Sequence, residues 1–514
     1  VKSLLVCLFL GCGFASSTQA AQTLEEFKQK PKLVVVLVID QFRADYLTRF
    51  EKSFLPAQGG KLGLGGFEYL MSKGAYFPFA HYNIFQAMTC SGHAMILTGA
   101  YPSENGISMN EWFDRESGKM VYCANDELNG VSPLRLKSTT LSDEFKNIDK
   151  KSKVVSIALK DRSAVMMGGH RGDLVLWMDN KELNWGTSKY YGQVPSWLKG
   201  VNSSLNDLKN KSYSWKKLAR TIPYAEKKVF ASPFGIELTA ELAIQALEQE
   251  KLGQSKDQID FLFVSFSSHD YAGHLYGPNS PELEDMTLTE DRQISRLLNT
   301  IEKKVGLKNA YLVLTADHGI PAATGYLKER KTNAGRIDYL ALFKRIYAQL
   351  DAKFGQPKSG PWIQAYKYFN FYLNPKVLEE KKLEASVVSQ EIKKLFLKEE
   401  GVSAVYTRDE ILQGKIYPGL WAEALVNQFV YGNNGDLIFM PEPFYYEKSE
   451  DLTTHLTGYN YDTRVPLILV GAPFKAGVYN QYARIIDLVP TLSHVLNIVA
   501  PPKARGRVLT EAFK

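Results

Sequence analysis

The sequence has 514 residues, 45% hydrophobic and 23% charged, with a formal net charge of +7. This balance suits a folded chain with a large core and excludes an extended, highly charged one. The basic excess forms no long block, so a nucleic-acid partner has no support, and four cysteines are too few for a disulfide framework.

The chain opens as an export signal: Lys2, the apolar stretch LLVCLFLGCGFA, then SSTQA with a cut expected after Ala20. Residues 1–20 are therefore read as a leader and 21–514 as the mature unit. The apolar stretch is too short to span a bilayer, and nothing later is apolar for long enough to do so. Cys12 fits a lipoprotein cleavage site poorly. A soluble periplasmic or secreted protein with no stable membrane insertion is expected. Cys90 and Cys123 would remain after cleavage. Their pairing is left open, and Cys90 reads more naturally as a buried thiol.

Five short apolar runs follow in chain order: KLVVVLVID (32–40), KVVSIALKDR (153–162), DFLFVSFSSHD (260–270), AYLVLTADHG (310–319) and RVPLILVG (464–471). Continuous Val, Leu and Ile without alternation predict strands buried on both faces. The fold class is therefore α/β, with a central mostly parallel sheet flanked by helices. Segments at roughly 171–230 and 320–450, rich in aromatic and charged residues, are expected to cap that sheet as insertions. Asp40, Asp270 and the pair Asp317-His318 end three of the runs. Active sites of open α/β sheets lie at the carboxyl ends of the strands.

QAMTCSGHAMILTGAYPSENGI (86–107) places Thr89, Cys90 and Ser91 side by side at the head of a helix-like segment. A hydroxyl is a poor nucleophile unless something activates it. Asp270 and His274 flank YAG after one apolar run, and Asp317-His318 closes another. These residue types hold zinc, and cobalt or manganese also suits such N/O donors. Each pair alone reads as a capped turn.

Together with VVVLVIDQFRADYL, AMTCSGHAMILTGAYPSENGI, SFSSHDYAGHLYGPNS, TADHG, THLTGYNYDTRVPLILVG and DLVPTLSHVL, in that order, they resemble the alkaline phosphatase superfamily. The set is most similar to the exported bacterial PafA-type alkaline phosphatases, relatives of the nucleotide pyrophosphatase/phosphodiesterases. The similarity covers nearly all of the mature chain, including LNWGTSKYYGQVPSWLKGVN.

The resemblance implies an alkaline-phosphatase-like sandwich and two Zn2+ ions. Asp40, Asp317 and His318 would hold one, with Thr89 as its fourth contact, and Asp270, His274 and His455 would hold the other. It makes Thr89 the nucleophile of a covalent phosphothreonine route. The amides of Cys90 and Ser91 would then face the phosphate, and Ser91 would cap the helix. Cys90 lacks the proline and arginine expected after a sulfatase formylglycine cysteine. His93 keeps a structural reading, His269 is expected to point away from Asp270, and His81, His170 and His494 are not ligands.

The resemblance also singles out Asn110, Lys160 and Arg162 as contacts for a phosphate monoester dianion. On a strand, Lys160 and Arg162 would share one face. Small phosphate monoesters are the expected substrates, inorganic phosphate the product and inhibitor, and a monomer the expected state. The main alternative is a phosphodiesterase or nucleotide pyrophosphatase, which would need an aromatic nucleoside clamp around 185–197. A sulfatase, a two-metal phosphoglycerate mutase and a non-catalytic phosphate-binding protein fit less well.

Overall fold

The computed structural model describes residues 29–514 apart from 61, 62, 417, 418 and 420, so the expected leader lies outside the described residues. The principal sheet is formed by β1 (Leu33–Ile39), β2 (Ala75–His81), β3 (Val154–Ala158), β4 (Leu174–Asp179), β5 (Asn184–Gly186), β6 (Asp260–Phe266), β7 (Ala310–Thr315), β8 (Arg464–Val470), β9 (Gly477–Val478) and β10 (Ala483–Arg484). Their spatial order is β5-β4-β3-β6-β1-β7-β8-β2-β9, with β10 also on β2. Strands β4, β3, β6, β1 and β7 run parallel. At the centre, all seven residues of β1 are buried, as are those of β6. A strand covered on both faces has no reason to alternate, which is why these runs are uniformly apolar.

The sheet is mixed and mostly parallel. β8 lies antiparallel to β7, and β2 antiparallel to β8. β2 contains Pro78, which cannot donate to a ladder, and the β8–β2 register shifts between Val465 and Leu467 at that point. The segment expected to be an insertion from residue 171 begins with β4 and β5, two strands of the principal sheet. Within 320–450, strands 363–367, 370–373, 437–441 and 402–407 form a separate antiparallel sheet in that spatial order.

Helices α1 (Thr89–Thr98), α2 (Asp161–Gly168), α3 (Pro233–Gln249), α4 (Ser268–Tyr276) and α5 (Pro281–Lys304) matter most for the site. All ten residues of α1 are buried. Cys90 and Ala94, with Met88 just before the helix, belong to one apolar cluster with Phe371, Phe396 and Phe439 of the inserted sheet and its helix. The insertion also bonds the segment leading to Thr89, where Gln86 Nε2 donates to Tyr368 O and Oε1 accepts from Asn370 Nδ2.

Two expectations are corrected here. Strand β3 ends at Ala158, Lys160 is extended at the helix N-cap, and Arg162 lies in the first turn of α2. Lys160 and Arg162 therefore do not share a strand face: the chain turns at the carboxyl edge, and Asp161 in the first helical turn favours the helix start. Secondly, Cys90 is not a free thiol but is bridged to Cys123, with a Cα–Cα distance of 6.7 Å. The hairpin of strands 111–114 and 119–122 delivers Cys123 back to the head of α1.

The bridge closes a 33-residue separation, for which loop entropy gives about 3–4 kcal/mol. The chain from residue 21 should titrate no thiol in denaturant until it is reduced, and Cys123→Ala should lower the unfolding free energy by about that amount.

Candidate active site

The adjacency of β3, β6, β1 and β7 brings the residues just beyond their carboxyl ends together. Lys160 follows β3, Asp270 lies in the first turn of α4 beyond β6, Asp40 follows β1, and Asp317-His318 follows β7. His455 arrives from the segment before β8, and Thr89 opens α1. Gly92 lets α1 approach closely, because a Cβ there would sit 2.4 Å from the Asp317 carbonyl oxygen.

Two donor groups result. One is Asp270, His274 and His455; the other is Asp40, His93 and Asp317; within each, ligating atoms lie within 4.8 Å of one another. Asp270 Oδ1 is 3.3 Å from His274 Nε2 and 3.8 Å from His455 Nε2. His318 Nε2 lies 3.3 Å from Asp317 Oδ2 and 3.5 Å from Thr89 Oγ1. The His318 and His455 rings stack at 3.7 Å, so the two groups adjoin.

Backbone carbonyls orient these imidazoles. His274 Nδ1 bonds Thr453 O at 3.0 Å, His455 Nδ1 bonds Ala87 O at 2.8 Å, and His318 Nδ1 bonds Gly319 O at 3.1 Å. A carbonyl only accepts, so each Nδ1 carries a proton, and in the neutral ring Nε2 is then the lone-pair donor that a metal ligand requires. Burial supports the neutral form, lowering His318 to about 4 and His455 well below the usual histidine value. His274 is raised instead: burial lowers it, but the Asp270 carboxylate outweighs that.

His93 is the ligand-like residue the sequence reading assigned only a structural part. Its Nε2 lies 3.4 Å from Asp40 Oδ1 and its Nδ1 3.3 Å from Asp317 Oδ2. Yet both nitrogens are also engaged, with Thr89 O at 2.9 Å and Ser265 Oγ at 3.0 Å. Its position four residues after Thr89, on the same face of a helix, was the available signal.

Asp40, Asp270 and Asp317 are all buried. The Lys160 ammonium spans two of them, 2.5 Å from Asp270 Oδ2 and 3.0 Å from Asp40 Oδ2. Burial would raise both carboxyls, but Lys160 holds them below the usual range, helped by His93 at Asp40 and His274 at Asp270. Asp317 is pushed up by burial and by Asp40, and its Oδ2 accepts no hydrogen bond. This surplus of buried acceptors is what a bound divalent cation would satisfy.

Around Thr89, the Cys90 amide donates to Asn110 Oδ1 at 2.8 Å. That amide is thus spent on Asn110 rather than free for a phosphate, which corrects the expectation, and the Asn110 Nδ2 protons remain for another acceptor. Ser91 does not cap α1; its hydroxyl donates to Met88 O at 3.2 Å within the first turn. Among the described residues no carboxylate pairs with the Arg162 guanidinium, and its buried Nε has no hydrogen-bond partner. Tyr122 and Tyr271 flank it, and the Tyr271 ring centroid is 5.1 Å from Lys160 Nζ; neither tyrosine was singled out from sequence.

His269 turns away from Asp270 to bond Glu290 Oε2 at 3.0 Å. His81 stacks on Tyr482, His170 bonds Ser138 O, and His494 stacks on Phe513, all outside the two donor groups. The aromatic segment 185–197 offers no open clamp. Trp185 is buried, Trp197 packs on the core and donates to Glu250, and Tyr190 and Tyr191 bond the carbonyls of His170 and Gly169.

Comparison with known proteins agrees with this geometry. Residues 34–462 match the family model for type I phosphodiesterase / nucleotide pyrophosphatase. Alkaline phosphatase PafA of Elizabethkingia meningoseptica is 33% identical over 94% of this chain and 95% of its own length. The crystal structure of wild-type PafA superposes with a TM-score of 0.85 at 31% identity, covering 94% of this chain and 99% of that one. A PafA mutant substituted at one threonine, one asparagine, one lysine and one arginine superposes at 0.84. The chain belongs to the type I phosphodiesterase/nucleotide pyrophosphatase family, within which it is a PafA-like alkaline phosphatase.

Proposed function

We propose that the protein is an exported, zinc-dependent phosphomonoesterase that works as a monomer through a phosphothreonine intermediate. The carrying observation is the pair of adjoining buried donor groups beside Thr89, with an Arg162 whose buried Nε has no hydrogen-bond partner among the described residues. Asp40, Asp317 and His318, with Thr89, would hold one zinc; Asp270, His274 and His455 would hold the other. The donor chemistry fits, since three imidazoles present Nε2 and a buried carboxylate oxygen of Asp317 is unsatisfied. His318 is preferred to His93 as a ligand because both His93 nitrogens are engaged at 2.9 and 3.0 Å, whereas among the described residues His318 Nε2 has only a 3.5 Å hydrogen-bond contact, to the Thr89 hydroxyl that would share the site. His93 would instead orient the two carboxylates.

Bound as a pair, the cations would lower the pKa of a hydroxyl or water and offset charge on the leaving oxygen. Thr89, having lost its proton to solvent, attacks phosphorus with Oγ1 as the bond to the leaving alkoxide breaks, and the alkoxide takes up a proton from solvent to leave as the alcohol. Water then displaces Thr89 from the opposite face, releasing inorganic phosphate and restoring the hydroxyl. Two inversions leave configuration at phosphorus retained. The product occupies the same anion site, so inorganic phosphate inhibits.

A monoester dianion carries one more charged oxygen than a diester, and it needs a donor for it. Among the described residues Arg162 Nε and the Asn110 Nδ2 protons have no acceptor, and Lys160, held between Asp40 and Asp270, adds charge alongside. The same four residue types, one each of threonine, asparagine, lysine and arginine, are those substituted in the PafA mutant. The Cys90–Cys123 bridge supports an oxidising compartment, and among the described residues no helix is long and apolar enough to cross a membrane.

The zinc-loaded protein should show a kcat/KM for an aryl phosphate monoester far above that for the matching diester. Arg162→Ala should lower the monoester value by about 10–100-fold, from the worth of a hydrogen bond to a charged group, and leave the diester value little changed. A ratio near one would move the protein to diester chemistry. Thr89→Ala should abolish the acid-stable phosphoenzyme seen by mass spectrometry after quenching with substrate. N-terminal sequencing of the exported chain should begin at Ala21.

A further inference from the structure

Gln41 stands one residue beyond Asp40 and has no part in the reaction above, yet it touches both carboxylate groups. Its backbone N–H donates to Asp317 Oδ1 at 2.9 Å, and its side-chain Nε2 donates to Asp270 Oδ1 at 2.6 Å. That second oxygen is the one facing His274 Nε2 and His455 Nε2. Reaching both partners puts Gln41 at φ 66°, in the left-handed region where glycine is the ordinary residue. The residue is fully buried, and its Oε1 accepts no hydrogen bond. A glutamine is therefore kept where its backbone conformation is unfavourable and half its amide is unsatisfied. Packing alone does not call for an amide there; holding the Asp270 carboxylate, while the backbone N–H holds that of Asp317, does.

The helix opposite is cut to fit this side chain. A Cβ on Gly273 of α4 would sit 1.6 Å from Gln41 Oε1, 2.8 Å from Cδ and 3.4 Å from Nε2, and these are its three nearest atoms. We infer that Gln41 is a positioning residue that ties the two metal-ligand groups together: its main chain sets the Asp317 carboxylate, its side chain sets that of Asp270, and Gly273 makes room for the link. This rests on the reading of Asp270 and Asp317 as ligands of paired zinc ions.

The test measures zinc retained by the full chain, by elemental analysis after dialysis against graded chelator, alongside kcat and KM. Gln41→Gly suits the backbone and removes the amide. Gln41→Asn keeps an amide one methylene too short to reach Asp270. Gly273→Ala displaces the intact glutamine. Each should weaken zinc retention by about 10–100-fold, the usual effect of losing a partner of a metal ligand, and lower kcat more than it changes KM. In the Gln41→Gly background, Gly273→Ala should cost nothing further, because the atoms its methyl would strike are gone. A metal-free unfolding midpoint for Gln41→Gly equal to or above that of the parent shows that it folds. Undiminished zinc retention in Gln41→Gly, or additive losses in the double variant, would overturn the inference and leave the two-zinc reading intact. A parent chain that binds fewer than two zinc equivalents would overturn both.

Discussion

Three carboxylates, Asp40, Asp270 and Asp317, are packed out of water at the carboxyl edge of β1, β6 and β7. Removing an ionised carboxylate from water is costly unless a cation or several hydrogen bonds take the place of the solvent. Much of the surrounding structure is explained as compensation for that cost. Lys160 lies between Asp40 and Asp270, Ser265 donates to Asp40 Oδ1 at 2.5 Å, Gln41 serves both Asp317 and Asp270, and His93 stands between Asp40 and Asp317. One oxygen of Asp317 still lacks a hydrogen bond. That unsatisfied acceptor, beside imidazole nitrogens, makes the cluster a candidate cation site in addition to the buried salt bridges that Lys160 forms.

The surroundings of Thr89 follow a different logic, that of rigid placement. Helix α1 is buried along its whole length, its glycine at 92 fits the Asp317 backbone, and its second residue is held covalently to Cys123. The Cys123 amide bonds Asn110 O at 2.9 Å, and Asn110 in turn accepts from the Cys90 amide. The disulfide and these two hydrogen bonds make Thr89 and Asn110 parts of one rigid unit. Reacting groups held in a fixed relation need not spend entropy on finding each other. The inserted sheet shares its apolar cluster with the same helix, which gives that segment a structural purpose beyond covering the site.

Sequence alone determined the central strands, because a strand buried on both faces must be apolar throughout, and that pattern is local. It also determined which acidic residues and histidines end those strands, and so the edge at which the chemistry sits. The order of the motifs determined the family. Only the tertiary structure decided what depends on distant neighbours. The register shift that admits Pro78 to the principal sheet, the pairing of Cys90 with Cys123, and the antiparallel setting of β8 all arise from segments far apart in the chain. Lys160 and Arg162 were expected on one strand face and stand instead at the start of α2, since whether a chain continues as strand or turns into a helix at a sheet edge is set by what it packs against. Gln41 was passed over, and His93 was given only a structural part, for the same reason. What each one touches depends on carboxylates distant in the chain: Asp270 and Asp317 lie 229 and 276 residues from Gln41, and only folding sets Asp40 and Asp317 on either side of His93.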